Sequence, residues 1–369
     1  MDMDILIFII LAVTIISAMV LRAFTRQRQN RRKQEDEVEV NDISSLDTSS
    51  LSTGGAIAHE HSMEFSDVIS GGVENVTVEV ANISKSFGGR EVVHDLSFVL
   101  KAGEVFGLVG PNGAGKSTTL RMLMDIIRPD CGEIRVFGES LREETKNRIG
   151  YLPEERGLYK KMRVTDSLVY LARLKNVDTS IAKERAEELL KQVDMLAHKE
   201  KKVSELSRGM GQIIQFLVTI AHNPSLIVLD EPFGGLDPVN RMLIKDAVLD
   251  LKRSGRAIIL STHIMNEVEE MCDRILMIDK GCAVLYGDLS EIKWRYRNNS
   301  LIVSADQDFS QIEGVIKKVD HGRYSELFLG EGVDPQQVLV QLIGRGVRVD
   351  RFEISTPSLN DIFIRLVKR

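Results

Sequence analysis

Nine consecutive residues, Gly110-Pro111-Asn112-Gly113-Ala114-Gly115-Lys116-Ser117-Thr118, fit the pattern GxxxxGK[ST]. Glycines there let backbone N–H groups converge on phosphate oxygens, an approach that side chains would block. A helix beginning at the end of the loop adds the positive end of its dipole. Lys116 is then placed for the β- and γ-phosphates of a nucleotide and the Ser117 hydroxyl for Mg²⁺. Further along, Leu226-Ile227-Val228-Leu229-Asp230-Glu231 is an apolar run ending in two acids. At the C-terminal edge of a sheet, where α/β folds bind ligands, Asp230 can hold a metal-bound water. Glu231 is placed to polarise an attacking water. Together the two segments imply hydrolysis of a nucleoside triphosphate, with Mg²⁺ as its metal ion.

Five shorter stretches surround these two in a fixed order. They are Ser86-Phe87-Gly88-Gly89, Ile149-Gly150-Tyr151-Leu152-Pro153, Leu206-Ser207-Arg208-Gly209-Met210, Gly234-Gly235-Leu236-Asp237-Pro238 and Ser261-Thr262-His263. Ser207 stands where it can cap a helix. The set resembles the ABC nucleotide-binding domain over residues 76–290, and is most similar to subunits of the sodium- or multidrug-exporter type. The resemblance implies that Phe87 stacks on adenine and that Glu154, after Pro153, occupies the Q-loop. It implies that Ser207 and Gly209 form the signature loop, that Asp237 belongs to the D-loop and that His263 senses the γ-phosphate. It also implies a loop that is only half a site: Ser207, Gly209 and Asp237 would act on the ATP of a facing subunit. Two positions depart from the family pattern. Glu154 stands where glutamine is usual, offering the metal a charge instead of a neutral carbonyl. The signature reads Ser-Arg-Gly-Met, with Arg208 either adding a charge-assisted contact or facing solvent.

These residues need elements to hold them. Residues 76–81 and 92–100 alternate apolar and polar, as antiparallel strands with one wet face do. Residues 104–110 form a strand entering the glycine-rich turn, and 116–127 read as a helix stopped by Pro129. Residues 226–229 and 257–260 are short continuous apolar runs, suited to strands buried on both faces, and 239–251 is helical. The expected fold class is α/β: a P-loop ATPase core with parallel strands, an antiparallel β subdomain and a helical insertion at 164–222, with helices over 181–196 and 210–220. After about residue 294, strands at 300–305, 314–319, 326–329 and 347–354 alternate with helices at 335–342 and, more weakly, 307–312. Asp334 is an N-cap and Pro335 the first helical residue. That order, β-α-β-β-α-β, predicts a small ferredoxin-like α+β domain, and residues 358–366 read as a last amphipathic helix.

The N-terminal part is of another kind. Residues 5–21 carry no charge; with flanking residues the stretch reaches about 20 residues, roughly 30 Å of helix, enough to cross a bilayer. Asp2 and Asp4 replace the basic start of a signal peptide, and no partner segment nearby would bury a core helix. A single membrane anchor is expected. Arg22, Arg26, Arg28, Arg31, Arg32 and Lys33 follow it and put the later residues on the cytoplasmic side. Residues 35–72 are acidic, then Ser/Thr-rich, without sustained periodicity, and read as a flexible linker; His59-Glu60-His61 within it is read as no metal site. The division expected is therefore 1–34 anchor and basic flank, 35–72 linker, 73–293 ATPase domain and 294–369 C-terminal domain.

Composition narrows the partners. A net charge of −6 disfavours nucleic-acid binding through the overall field. The three cysteines, Cys131, Cys272 and Cys282, are far apart, which speaks against a disulfide framework or zinc site. One anchor helix cannot build a translocation path, so the expected partners are a separate transmembrane permease and a second ATPase subunit, identical or homologous. A membrane-tethered ATPase acting on a non-transporter partner shares every motif above. A ribosome- or DNA-directed ABC protein would show tandem ATPase units or long coiled coils, which are absent.

Overall fold

A computed structural model describes residues 76–155, 157–305 and 312–367. The anchor expected at 5–21 and the linker at 35–72 lie outside the described residues. Among the described residues, no helix is long and apolar enough to cross a membrane.

The chain opens with a hairpin of β1 (Val76–Phe87) and β2 (Arg90–Lys101), joined at Gly88 and Gly89. β3 (Val105–Val109) leads into the phosphate-loop sequence and α1 (Lys116–Leu123). β4 (Cys131–Val136) and β5 (Glu139–Ser140) complete a four-stranded antiparallel sheet of order β2-β1-β4-β5. β6 (Ile149–Leu152) precedes the helical insertion of α2 (Val164–Leu174), α3 (Thr179–Gln192) and α4 (Arg208–Ile220). Then come β7 (Leu226–Asp230), α5 (Pro238–Arg253), β8 (Ala257–Thr262), α6 (Met265–Met271), β9 (Arg274–Asp279), β10 (Cys282–Asp288) and α7 (Leu289–Arg295).

The central sheet runs β10-β9-β3-β8-β7-β6. Its pairings are parallel except for the β9–β10 hairpin. Alternate residues of one strand enter different cores. Ile227 and Leu229 pack toward the helical insertion and α5, while Leu226 and Val228 pack toward the antiparallel sheet and α1. Every residue of β3, β7 and β8 is buried. This two-sided burial explains why the runs are continuously apolar instead of alternating.

Two helices are shorter than the sequence suggests. α1 ends at Leu123, because Asp125 takes a left-handed φ of 54° that no helix continues. α3 ends at Gln192, with Asp194 at φ 56° and a separate 3₁₀ turn at Leu196–His198. β9 and β10 go beyond the strands expected from the sequence.

The C-terminal strands β11 (Ser300–Ala305), β12 (Val315–Asp320), β13 (Ser325–Leu329) and β14 (Val349–Ile354) form an antiparallel sheet of order β12-β13-β11-β14. Counted within this unit the order is 2-3-1-4, the arrangement a β-α-β-β-α-β chain gives in a ferredoxin-like sheet. α8 (Pro335–Gly344) covers one face through Val338 and Leu342, and the Asp334 carboxylate caps it at the Gln336 N–H. The weaker helix expected at 307–312 falls almost entirely outside the described residues. The last helix, α9 (Leu359–Val367), packs elsewhere: Leu359 and Ile362 join the large core of the ATPase part, against α6.

Candidate active site

The glycine-rich loop is built tightly against its neighbours. A Cβ on Gly110 would lie 2.1 Å from the Ile278 carbonyl oxygen, and the residue sits at φ 155°. No other residue type fits there. Gly115 is the left-handed N-cap of α1, so the first N–H groups of that helix open toward the loop. Lys116 is 6% exposed and donates to the carbonyls of Gly110 at 2.8 Å and Pro111 at 3.2 Å. It thus folds back over the loop, with its ammonium tied to the loop's own carbonyls.

The ends of β7 and β8 meet this loop. Asp230 is buried; its Oδ1 accepts from Ser117 Oγ at 3.3 Å and from the Ser261 hydroxyl. Glu231, the next residue, has a left-handed φ of 49°, unusual for a non-glycine side chain. Its N–H donates to the Ser261 carbonyl at 3.1 Å and to Ser261 Oγ at 3.2 Å. The strained turn brings Glu231 Oε1 within 2.9 Å of His263 Nδ1 and 3.7 Å of Lys116 Nζ. Lys116, Ser117, Asp230, Glu231 and His263 are therefore one cluster, though they come from three separate segments.

The other candidates surround it. Glu154 is exposed on the turn after β6. The Tyr151 phenol is pushed above its ordinary value, first by burial and then by the charge of Asp230, with Glu154 adding a smaller push. Both carboxylates are thus within electrostatic reach of one side chain. Phe87 ends β1 and is 47% exposed, with Lys85 Nζ 5.6 Å from its ring centroid. Returning along β2, Val92 passes the loop closely enough that a Cβ on Gly115 would lie 2.9 Å from its carbonyl oxygen.

Ser207 caps α4, its Oγ accepting from the Met210 N–H at 3.2 Å. Gly209 lies close against the start of α5: a Cβ would come within 2.8 Å of Asn240 Nδ2, which would have to shift, and 3.6 Å of Asp237 Oδ2. Asp237 caps α5 by accepting the N–H groups of Val239 and Asn240, each at 3.0 Å. Those bonds, with the Asn240 amide, hold its carboxyl below the usual range. Ser207, Gly209 and Asp237 thus form a second group, with Arg208 exposed beside it.

Several contributing residues carry no motif signal. Gln212 donates to the Pro232 carbonyl at 3.1 Å, behind Glu231. Gln215 donates to the carbonyls flanking Glu154, those of Pro153 at 3.3 Å and Glu155 at 3.2 Å. Both lie on the buried face of α4, where a polar residue inside an apolar helix is the only visible sign.

An ABC transporter family model matches residues 93–234, and the model of the ATP-binding protein DrrA1-3-like C-terminal domain matches residues 287–367. The chain is 40% identical over 291 residues to the uncharacterised ABC transporter ATP-binding protein YhaQ of Bacillus subtilis, covering 78% of this chain and 97% of that protein. The chain belongs to the ABC transporter ATP-binding proteins. It binds and hydrolyses ATP, as this family does. It is 35% identical to the Nod factor export ATP-binding protein I of Rhizobium meliloti, over 82% of this chain and 91% of that one. A solved structure of the ATP-binding subunit of an ABC transporter superposes with a TM-score of 0.57 at 29% identity, covering 60% of this chain and 93% of that chain. ABC subunits of this kind pair with transmembrane components and so associate with the membrane.

Proposed function

We propose that this ABC subunit drives an exporter, closing on ATP as a dimer and passing that closure to a separate transmembrane permease. The observation that carries the hydrolytic part of this reading is the contact of one Glu231 oxygen with both His263 and Lys116. It joins the acid at the end of β7 to the phosphate loop and to the turn after β8.

In this reading Glu231 orients and deprotonates the attacking water, and His263 steadies both Glu231 and the γ-phosphate. Residues 110–118 cradle the phosphates, with Lys116 neutralising their charge, and Phe87 stacks on the adenine. Ser117, Asp230 and Glu154 offer only hard oxygen donors, which suits Mg²⁺, and the ion when bound neutralises charge developing on the phosphates. Ser207, Gly209 and Asp237 serve the nucleotide held by the facing subunit. The export direction is supported by relatives named for Nod factor export and for linearmycin resistance. Residues 5–21 act as the single anchor, residues 35–72 as its tether, 73–293 as the ATPase domain and 294–369 as the C-terminal domain, with the ATPase on the cytoplasmic side.

Purification of the full chain from membranes with its bound partners tests this. Recovery of a polytopic protein with about six apolar spans is expected for a helical translocation path. A partner with few spans and a large extracellular domain would instead establish a regulator of a non-transporter protein.

A further inference from the structure

Helix α6 begins two residues after His263 and carries a glutamate in an unusual setting. Glu267 is 2% exposed. Its Oε2 accepts from Thr262 Oγ1 at 3.0 Å, and that hydroxyl oxygen in turn accepts the Ile264 N–H at 3.1 Å. The two bonds bracket His263: the residue before it donates to the Glu267 carboxylate, and the residue after it donates to that same Thr262 hydroxyl.

The other carboxylate oxygen has no hydrogen bond. Glu267 Oε1 is buried without a hydrogen bond, and so is Arg241 Nε, with which it forms only a long ion pair at 3.7 Å. An unpaired buried carboxylate oxygen is costly, so a small approach that lets the guanidinium donate is favourable. Arg241 lies in the first turn of α5, and its N–H donates to the Asp237 carbonyl at 3.0 Å. The same α5 start approaches Gly209 through Asn240 and Asp237. Burial raises the Glu267 carboxyl above its ordinary value, and Thr262, Arg241 and Lys245 oppose that rise.

We propose that Glu267 is a positioning residue for ATP hydrolysis: through Thr262 it fixes the turn that holds His263 on Glu231, and through Arg241 it links that turn to Asp237. This rests on the reading of Glu231 and His263 given above. When the Asp237 turn is engaged by a facing subunit, Arg241 moves with the start of α5. Closing the gap to Glu267 then sets the histidine turn. Arrival of the second subunit is thereby reported to the hydrolytic side of the first.

The test is steady-state ATP hydrolysis by the full chain with its membrane partner. Glu267→Leu removes both acceptor atoms with little change of shape. It should lower kcat about tenfold and leave the KM for ATP within about twofold, the split expected when an interaction acts only in the transition state. Thr262→Val should give the same loss, and Thr262→Ser, which keeps the hydroxyl, should retain wild-type kcat. The double variant Glu267→Leu/Thr262→Val should be no slower than either single one, as for two members of one unit. Arg241→Met alters a partly exposed side chain and should lower kcat about threefold at unchanged KM, with circular dichroism and thermal denaturation confirming that the variant is folded. Multiplying losses in the double variant would overturn the proposal, as would a loss in Thr262→Ser equal to that in Thr262→Val. So would wild-type kcat in Arg241→Met, or losses confined to KM. If Glu231→Gln is inactive while Glu267→Leu turns over normally, this inference alone fails; if Glu231→Gln is fully active, the underlying reading fails as well.

Discussion

A single oxygen of Glu231, Oε1, lies 2.9 Å from His263 Nδ1 and 3.7 Å from Lys116 Nζ. A carboxylate held between an imidazole and an ammonium is fixed in direction, which a base that must aim at one water requires. The partners come from different places: Lys116 from the start of α1, His263 from the turn after β8. Their meeting depends on the parallel pairing of β3 with β8 and of β7 with β8.

His263→Ala removes one side of this arrangement without touching the phosphate loop. Turnover should fall about 100-fold while the KM for ATP stays close to wild type, a loss at the lower end of the roughly 10²–10⁴ that general-base catalysis contributes to rate. Steady-state kinetics at varied ATP separates the two constants.

Lys116→Ala should act on binding instead. The ammonium is buried against the carbonyls of Gly110 and Pro111 and is the loop's own cation. Charge-assisted hydrogen bonds are worth about 1.5–3 kcal/mol, so the Kd for ATP should rise roughly 10- to 100-fold. Isothermal titration with a non-hydrolysed ATP analogue measures it.

The sequence made the chemistry more legible than the joinery. Residues 110–118 stand out by type and spacing, Asp230 and His263 only by their place in the ordered series of motifs, and the structure brings Lys116, Ser117, Asp230, Glu231 and His263 together. Ser261 and Thr262 belong to a recognisable stretch, yet their hydroxyls serve Asp230 and Glu267, which spacing cannot foretell. Gln212 and Gln215 look like ordinary polar residues until the fold shows them buried against the turns they hold. The overrun of α1 and α3 has a local cause: Asp125 and Asp194 adopt left-handed backbones that periodicity does not register. The order of the C-terminal strands was readable because each strand is short and bounded by turn residues. The return of α9 to the ATPase core was not, since an amphipathic helix does not name the surface that it covers.

That return carries a stability consequence. Leu359 and Ile362 are fully buried in the large core of the ATPase part, and the Leu359 N–H donates to Glu269 on α6 at 2.5 Å. Leu359→Ala or Ile362→Ala should each cost about 2–4 kcal/mol. Thermal denaturation should show the ATP-stabilised transition itself moving down, not a separate C-terminal transition.

His222 gives the folded chain an acid-sensitive point. Burial, aided by Lys175 and opposed by its bond to the Ile149 carbonyl, lowers its pKa to about 4 from an ordinary 6.5. Between those values the unfolded chain takes up a proton that the folded chain does not, so stability falls as the pH drops from about 6.5 toward 4. With its partial exposure the loss is on the order of 1–2 kcal/mol. Urea denaturation across that range should show a flatter slope in His222→Gln, which keeps a donor for Ile149 but does not titrate.

Glu231→Gln tests the central claim most directly. The substitution keeps the shape of the side chain and removes its capacity to take a proton. Measured side by side on the full chain, ATP binding should stay near wild type while hydrolysis falls by at least about 100-fold. Hydrolysis at the wild-type rate in that variant would contradict the account.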